Sequence, residues 1–383
     1  MARITIDYTP AVWQSAGIGR LTREVVRALL ALTPAHDMRL LCMAGQPADL
    51  PVFNGRPAPL IRIPLTDRWL YRIWFRARLP VPIELFAGRC DLYHATDFVL
   101  PPLLPGTRTV LTVHDLTFMR DASSAQPQLL KFLTRVVRQS ALCATHIVAD
   151  SHATAHDLMD VYGLPAERIT TIHSGVDERF SPLLQHSDEA ARIRLKYGLG
   201  DASFILAVGT LQRRKNHLTL VRAFAELARG STVPKNLQLV IAGGKGWLYD
   251  DVVAEVSALG LQERVCFTGF VDDADLPALY RAAAVFAFPS LYEGFGLPPL
   301  EALACGVPVV TSNASSLPEV VGDAGLMVDP LDVQGLAAAL GRALTDLDWR
   351  AEAIARGTQR AAQFTWQRAA QQLLDVYEQV LNR

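Results

Sequence analysis

Short apolar runs and amphipathic segments alternate from one end of the chain to the other, and the alternation predicts parallel α/β layers. In the first half the strand candidates are Arg3–Tyr8, Met38–Met43, Asp91–Ala95, Thr109–Val113, His146–Ala149 and Ile169–His173, with helical spacing over Leu21–Ala31 and Leu129–Cys143 between them. The second half repeats the style with Phe204–Val208, Leu237–Ala242, Val265–Thr268, Val285–Phe288, Pro308–Thr311 and Leu326–Val328. Strands separated by helices are the pattern of sheets covered on both faces. The charged stretch 177–200 contains Pro182 and ends at Gly198 and Gly200, so it is the linker candidate between a first domain, 1–185, and a second, 190–365. Trp366–Leu381 carries Ala369, Leu373, Val376, Tyr377 and Val380 at helical spacing, so it needs an apolar surface to cover.

Composition agrees with two cores. At 383 residues the chain exceeds one typical domain; half of it is hydrophobic, and 37 Lys and Arg nearly balance 38 Asp and Glu. Those proportions, with only 20% of the residues charged, argue against a disordered chain or a general nucleic-acid binder. The start, MARITIDYTP, enters strand-like alternation directly, and no run approaches the ~18–20 apolar residues of a membrane span, so the expectation is a soluble, cytoplasmic protein. Cys42, Cys90, Cys143, Cys266 and Cys305 are odd in number and lack Cys-x-x-Cys spacing; they are expected to be small buried fillers rather than zinc ligands or disulfides.

Candidate chemistry gathers where strands give way to helices, the end of an open α/β sheet at which ligands bind. Residues 288–310, FPSLYEGFGLPPLEALACGVPVV, read as a strand end, a glycine-hinged loop and a helix start with Pro298 and Pro299 in its first turn. Amides and a helix N-terminus favour phosphate there, while Glu293 and Glu301 can accept hydrogen bonds from hydroxyls; together they suggest a nucleotide sugar. By themselves, two glutamates at this spacing also fit an ordinary solvated βα unit. Arg213, Arg214 and Lys215 follow the strand Phe204–Val208 and precede a helix, where three cations oppose the dipole and one another unless an anion compensates them. Lys215, then Arg214, is the diphosphate candidate, with Arg213 turned to water. Gly17-Ile18-Gly19-Arg20 and Gly243-Gly244-Lys245-Gly246 occupy equivalent strand-to-helix positions, and neither matches Gly-x-Gly-x-x-Gly, which disfavours a dinucleotide-dependent oxidoreductase.

With these residues in view, the chain resembles the retaining glycosyltransferases of family 4, the large GT-B group. The resemblance runs over GIGR at 17–20, TVHDL at 112–116, ADSHATAHDL at 149–158, IHSGVD at 172–177, VGTLQRRKN at 208–216, VIAGGKGW at 240–247, FTGFV at 267–271 and EGFGLPPLEALACGVPVV at 293–310. It implies two Rossmann-like doubly wound domains with a cleft between them, acceptor bound by the first and nucleotide sugar by the second, and the last helix, within 366–383, crossing back to the first. It implies that Glu301 binds the ribose and Glu293 the donor sugar. Phe295, Gly296 and Leu297 would present amides to sugar and diphosphate, Lys215 would neutralise phosphate, Gly17 and Gly19 would close on the diphosphate, and Gly243 would also lie at the donor. His114 would stand near the sugar, and main chain around Val271 would read the base. Many relatives carry Arg where this chain has Thr210; Arg214 is the candidate to supply that charge. Similarity of the last two long motifs to bacterial O-antigen-type mannosyltransferases points to GDP-mannose first, with UDP-hexoses next.

The chemistry expected is same-face transfer with retention to a glycan or lipid-linked acceptor, the departing phosphate oxygen taking the acceptor proton and cations and amides stabilising the leaving group without a metal or other cofactor. Asp273-Ala274-Asp275 and Asp346-Leu347-Asp348 have the Asp-x-Asp spacing of metal-dependent transferases, but each precedes a helical pattern, and helix capping is the expected role. His114, Glu293 and Lys215 are the candidate catalytic set. Another GT-B enzyme, a phosphorylase or epimerase, and a nucleotide-sugar-binding regulator without turnover are the competing classes. In DRWLYRIWFRARL, 67–79, Arg68, Arg72 and Arg76 form one helical stripe beside Trp69, Leu70, Ile73, Trp74 and Ala77. Two explanations fit: peripheral contact with an anionic membrane, or a surface helix whose tryptophans pack on the sheet.

Overall fold

The computed structural model describes residues 1–14, 17–44, 50–120, 127–182, 187–246 and 249–383. Trp247 of the VIAGGKGW motif and residues 183–186 of the linker candidate lie outside the described residues. Internal contacts divide the chain into one unit of Met1–Gly175 with Phe364–Arg383 and another of Val176–Gln363.

The first unit is built on seven strands: β1 (Arg3–Asp7), β2 (Asp37–Met43), β5 (Leu60–Ile63), β6 (Leu92–Ala95), β7 (Arg108–Val113), β8 (His146–Ala149) and β9 (Ile169–Thr171), in the order β5-β2-β1-β6-β7-β8-β9. All pairings in this sheet are parallel. A two-stranded antiparallel ribbon, β3 (Val52–Phe53) with β4 (Arg56–Pro57), stands apart. The ribbon and β5 escape the apolar pattern: Val52, Arg56 and Pro57 are exposed, and β5 is only four residues with Arg62 turned out. The second unit carries β10 (Phe204–Val208), β11 (Gln238–Ala242), β12 (Val265–Gly269), β13 (Val285–Phe288), β14 (Val309–Ser312) and β15 (Leu326–Val328), in the order β12-β11-β10-β13-β14-β15, again all parallel. In each sheet the order reverses direction beside its first strand, so the topological switch falls between β1 and β6 and between β10 and β13.

Burial on both faces explains why the strands read as apolar runs rather than alternations: β6, β8, β13 and β14 are buried along their whole length. The last helix, Trp366–Leu381, buries Trp366, Ala369, Ala370, Leu373, Val376, Tyr377 and Val380 within the first unit, against the helix Ile18–Ala31 and β7. Its anchor is polar. Tyr377 Oη lies 2.6 Å from His94 Nδ1, and His94 Nε2 is 2.8 Å from Thr112 Oγ1. Burial and the nearby charge of His114 push the His94 pKa down to about 3, so this ring is neutral.

Three local expectations change. Asp346 does cap, accepting from Trp349 N at 3.0 Å, but Asp275 at the start of Leu276–Ala282 makes no cap bond. Its carboxylate is taken by Lys196, by Tyr197 Oη at 2.8 Å and by Arg192 at 2.9 Å, an ion-pair role that only the fold could assign. Cys42, Cys90 and Cys305 are buried, whereas Cys143 is exposed and Cys266 half-buried. The 67–79 stretch is an α-turn, Asp67–Tyr71, followed by a π-helix, Arg72–Arg76, in which Ala77 N reaches back to Arg72 O. The wider turn separates the two tryptophans: Trp74 packs inward with its indole N–H on Val81 O, while Trp69 stays 56% exposed beneath the Arg72 guanidinium. Arg68, Arg72 and Arg76 are all exposed.

Candidate active site

The carboxyl ends of β10 and β13 flank the switch point of the second sheet, and the candidate cations and carboxylate come from these two strand ends. After β10 the chain runs through Gly209 into a single 3₁₀ turn, Arg213–Lys215; after β13 it runs through Pro289 and Ser290 to Glu293. Lys215 Nζ meets Glu293 Oε1 at 2.7 Å, and Arg214 Nη1 meets Glu293 Oε2 at 2.6 Å. A further bond from Leu291 N to Arg214 O, 2.7 Å, ties the two loops together. The carboxylate is therefore the anion that offsets the cations opposing the helix His217–Arg229. The three groups sum to one net positive charge.

Local backbone makes this pairing possible. Gly209 has φ +150, and a Cβ there would sit 3.2 Å from Lys215 Cε, so the missing side chain gives the lysine stem its lane past the strand end. Gly243, after β11, packs on Gly209 so closely that a Cβ would lie 2.1 Å from Gly209 O; its own N–H is donated to Gly269 O. Lys215 Nζ also stands 4.5 Å from the centre of the Phe288 ring. Asn216, with φ +57, ends the turn and donates to Pro289 O and Pro330 O, locking the cation loop to two neighbouring strand exits.

Burial alone would push the Glu293 pKa up. The charges of Arg214 and Lys215 and the bond from Lys215 more than reverse this, bringing it to about 2. The loop that presents it is held by two serines: Glu293 N donates to Ser315 Oγ, and Ser316 Oγ donates to Glu293 O at 2.9 Å and Phe295 O at 2.6 Å. Gly296 is the N-cap of the helix Leu297–Ala304 and offers no side-chain cap. Because Pro298 and Pro299 have no N–H, the positive end of this helix is carried by the amides of Gly296 and Leu297. Phe295 is buried beside them, and Glu301, one turn in, is buried with Oε2 accepting from Tyr280 Oη at 2.9 Å. Val271 is buried just beyond β12, Arg213 is exposed, and so is Thr210.

Gly17, Gly19 and His114 belong to the first unit. Gly17 is the N-cap of Ile18–Ala31, with φ +57, and a Cβ on Gly19 would lie 1.8 Å from Gln14 O. His114 follows β7 and is buried; Nδ1 is 2.8 Å from Asp150 Oδ2 and Nε2 2.9 Å from Thr96 O. Burial lowers its pKa, but the charge and hydrogen bond of Asp150, with help from Asp97 and the Thr96 carbonyl, raise it to about 9. The ring is an imidazolium donating from both nitrogens, a fixed cation rather than a free base.

Sequence reasoning did not single out Asp150, Ser315, Ser316, Tyr280 or Asn216 as parts of the site. Asp150 and Asn216 stand inside quoted motifs, so the motif boundaries held that information; the serine pair and Tyr280 had no local mark.

Two parallel sheets of this order, each with a switch point, and paired cations on a carboxylate at one of them, define a doubly wound α/β class, and comparison with known proteins narrows it. Residues 190–360 match the model described as glycosyl transferases group 1, and residues 15–180 match that of glycosyltransferase family 4. The O-antigen chain mannosyltransferase B of Escherichia coli is 32% identical over 98% of this chain and 99% of its own length. The chain belongs to the family 4, group 1 glycosyltransferases and is an enzyme of that type. Its architecture is GT-B: sucrose-phosphate synthase from Thermosynechococcus elongatus superposes with a TM-score of 0.74 at 23% identity over 100% of both chains. Anabaena HepE in complex with UDP and glucose gives 0.74 at 19% identity, covering 99% of this chain and 100% of that one.

Proposed function

We propose that this enzyme transfers mannose from GDP-mannose to a glycan or lipid-linked glycan acceptor, with retention of the anomeric configuration and without a metal ion. The observation that carries the reading is the clamp of Arg214 and Lys215 on Glu293 at the switch point of the second unit. In the free protein the carboxylate occupies the cations' anion position. A diphosphate entering a cluster with one net positive charge takes over part of that pairing, and Glu293 turns its released lone pairs to sugar hydroxyls. Lys215, Arg214 and the amides of Gly296 and Leu297 then face the charge that develops on the leaving diphosphate. A carboxylate with both oxygens bound by cations and a pKa near 2 is a poor covalent nucleophile, which supports same-face attack over a covalent sugar–enzyme intermediate. Glu301 is assigned to the ribose and the main chain at Val271 to the base. The choice of mannose rests on what the Escherichia coli relative is named for. A UDP-hexose is the second reading, favoured by the UDP and glucose of the HepE complex.

Thermal unfolding with GDP, UDP, ADP and dTDP and their sugars tests the donor. A nucleotide at 100 times its Kd stabilises by about 2.7 kcal/mol. GDP and GDP-mannose are expected to raise Tm most. A larger shift with UDP and UDP-glucose selects the second reading, and no shift with any of them overturns the donor site.

A further inference from the structure

The first unit holds a cavity of about 590 Å³ lined by residues from the π-helix, the loop 100–107, the amino ends of β7 and β8, and the helix Pro127–Cys143. His114 and Asp150 stand at the opposite, carboxyl ends of the same two strands. Six residues of β7 span about 20 Å, so the cavity is separate from the ligand-binding end of this sheet. Its volume suits a small ligand or a headgroup with part of a chain.

The walls are fixed before anything binds. Glu84, buried, accepts from Leu104 N at 3.1 Å and Thr107 Oγ1 at 2.7 Å, and Ile83 N bonds to Pro102 O, so the proline-rich rim is pinned from below. Ser140 Oγ accepts from Leu100 N at 3.0 Å and ties the rim to the long helix. The Trp74 indole is held by Val81 O, and Phe75 packs edge-on against Phe132.

The lining is amphiphilic and of one charge. Trp74, Phe75, Leu100 and Leu103 supply the apolar wall, Arg78 and Arg135 the polar one, and no carboxylate lines the cavity among the described residues. Neither arginine has a side-chain partner among the described residues. The negative end of the helix Pro127–Cys143 lies close by, and Arg168 neutralises it through Ala141 O, Leu142 O and Ala144 O. Outside the cavity the same unit exposes Arg68, Arg72, Arg76, Lys131 and Arg138 together with Leu79, Leu129 and Leu142.

We propose that this cavity binds an anionic lipid whose headgroup is a bare phosphate monoester, with Arg78 and Arg135 on the phosphate and the first part of the chain against Trp74, Phe75 and the proline-rich rim. Guanidinium groups suit phosphate oxygens in donor geometry and charge, this cavity is lined by two of them, and the apolar wall continues the binding where a free phosphate has nothing to offer. The surrounding arginines and exposed leucines carry the rest of the lipid towards a bilayer surface. The site is independent of the donor reading and uses no residue of the clamp.

Cys143 lines the cavity and is exposed, so its alkylation reports occupancy. The intact protein is treated with a maleimide alone and with dihexanoylphosphatidic acid, dihexanoylphosphatidylcholine or inorganic phosphate, and modification of Cys143 is followed by peptide mass spectrometry. The phosphatidic acid should slow labelling at least severalfold, and the Arg78→Gln/Arg135→Gln variant should need roughly tenfold or more lipid for the same protection, from the loss of charge-assisted bonds. Unprotected labelling of Cys143, equal protection by the phosphatidylcholine, equal protection by inorganic phosphate, or protection unchanged in the double variant would each overturn the proposal. Thermal unfolding of the double variant, expected at the wild-type Tm because both arginines are exposed, separates lost binding from lost fold.

Discussion

Changing Glu293 to Gln removes one charge from the clamp while keeping the side chain's shape. Lys215, 9% exposed, then lies beside a neutral amide with Arg214 on the other side, and two cations share a site without their anion. The depressed pKa sets the scale: a fall from 4.5 to about 2 corresponds to about 3 kcal/mol of stabilisation at neutral pH. Removing one partner of a buried pair costs about 3–5 kcal/mol by general experience, in agreement. For a unit of this size the loss lowers Tm by roughly 6–12 °C. Because the folded-state pKa lies below the unfolded one, the stabilisation is complete above about pH 5 and drains as pH falls towards about 2; near pH 3 less than half remains. Urea unfolding of wild type and Glu293→Gln across this range reads the gap directly. A gap under about 1 kcal/mol at neutral pH, or one that does not shrink in acid, would refute the ion-pair account.

Three further outcomes follow from the same geometry. Asp150→Asn removes the main support of the His114 charge, so its pKa should fall from about 9 towards or below neutrality; since the raised pKa stabilises the fold below about pH 6.5 and that contribution is lost as pH rises through about 9, the variant should be less stable at pH 6 but nearly equal to wild type near pH 10, as read by unfolding and by the histidine ring resonances. Gly243→Ala places a methyl 2.1 Å from Gly209 O, so the two strand exits must part; Tm should drop by an amount equivalent to about 2–4 kcal/mol and nucleotide affinity should fall with it, whereas Gly244→Ala, which faces open space, should be near neutral. Tyr377→Phe leaves buried His94 without its hydroxyl partner at Nδ1 and should cost about 1–2 kcal/mol in urea unfolding, with no change in nucleotide affinity.

The parts of this molecule legible in its sequence are those fixed by local pattern. Phe204–Val208, Val285–Phe288 and His146–Ala149 are continuous apolar runs because both faces are buried, and their bounds coincide with the observed strands. The β5 strand and the β3–β4 ribbon are short and partly exposed, and the π-helix at Arg72–Arg76 departs from the 3.6-residue period on which the arginine stripe was read. Within the candidate site, the residue types and loops were visible, but the pairing was not. Glu293 and Lys215 are 78 positions apart and meet only because β10 and β13 are neighbours at the switch. Likewise a carboxylate before a helix looks like a cap until tertiary contacts show Asp275 between Lys196 and Arg192. Cys143 closes the helical spacing over Leu129–Cys143, and the helix does end there, but nothing in the sequence marks the cavity that this end lines.

The most direct test of the central claim is titration of GDP into the wild-type enzyme and into Lys215→Met, with GDP-mannose turnover on a glycan acceptor pool followed in parallel in the presence of a chelator. The clamp predicts that wild type binds and turns over the donor with the chelator present, and that Lys215→Met, still folded, binds GDP roughly tenfold or more weakly and loses most turnover. Wild-type affinity and turnover in Lys215→Met would contradict it.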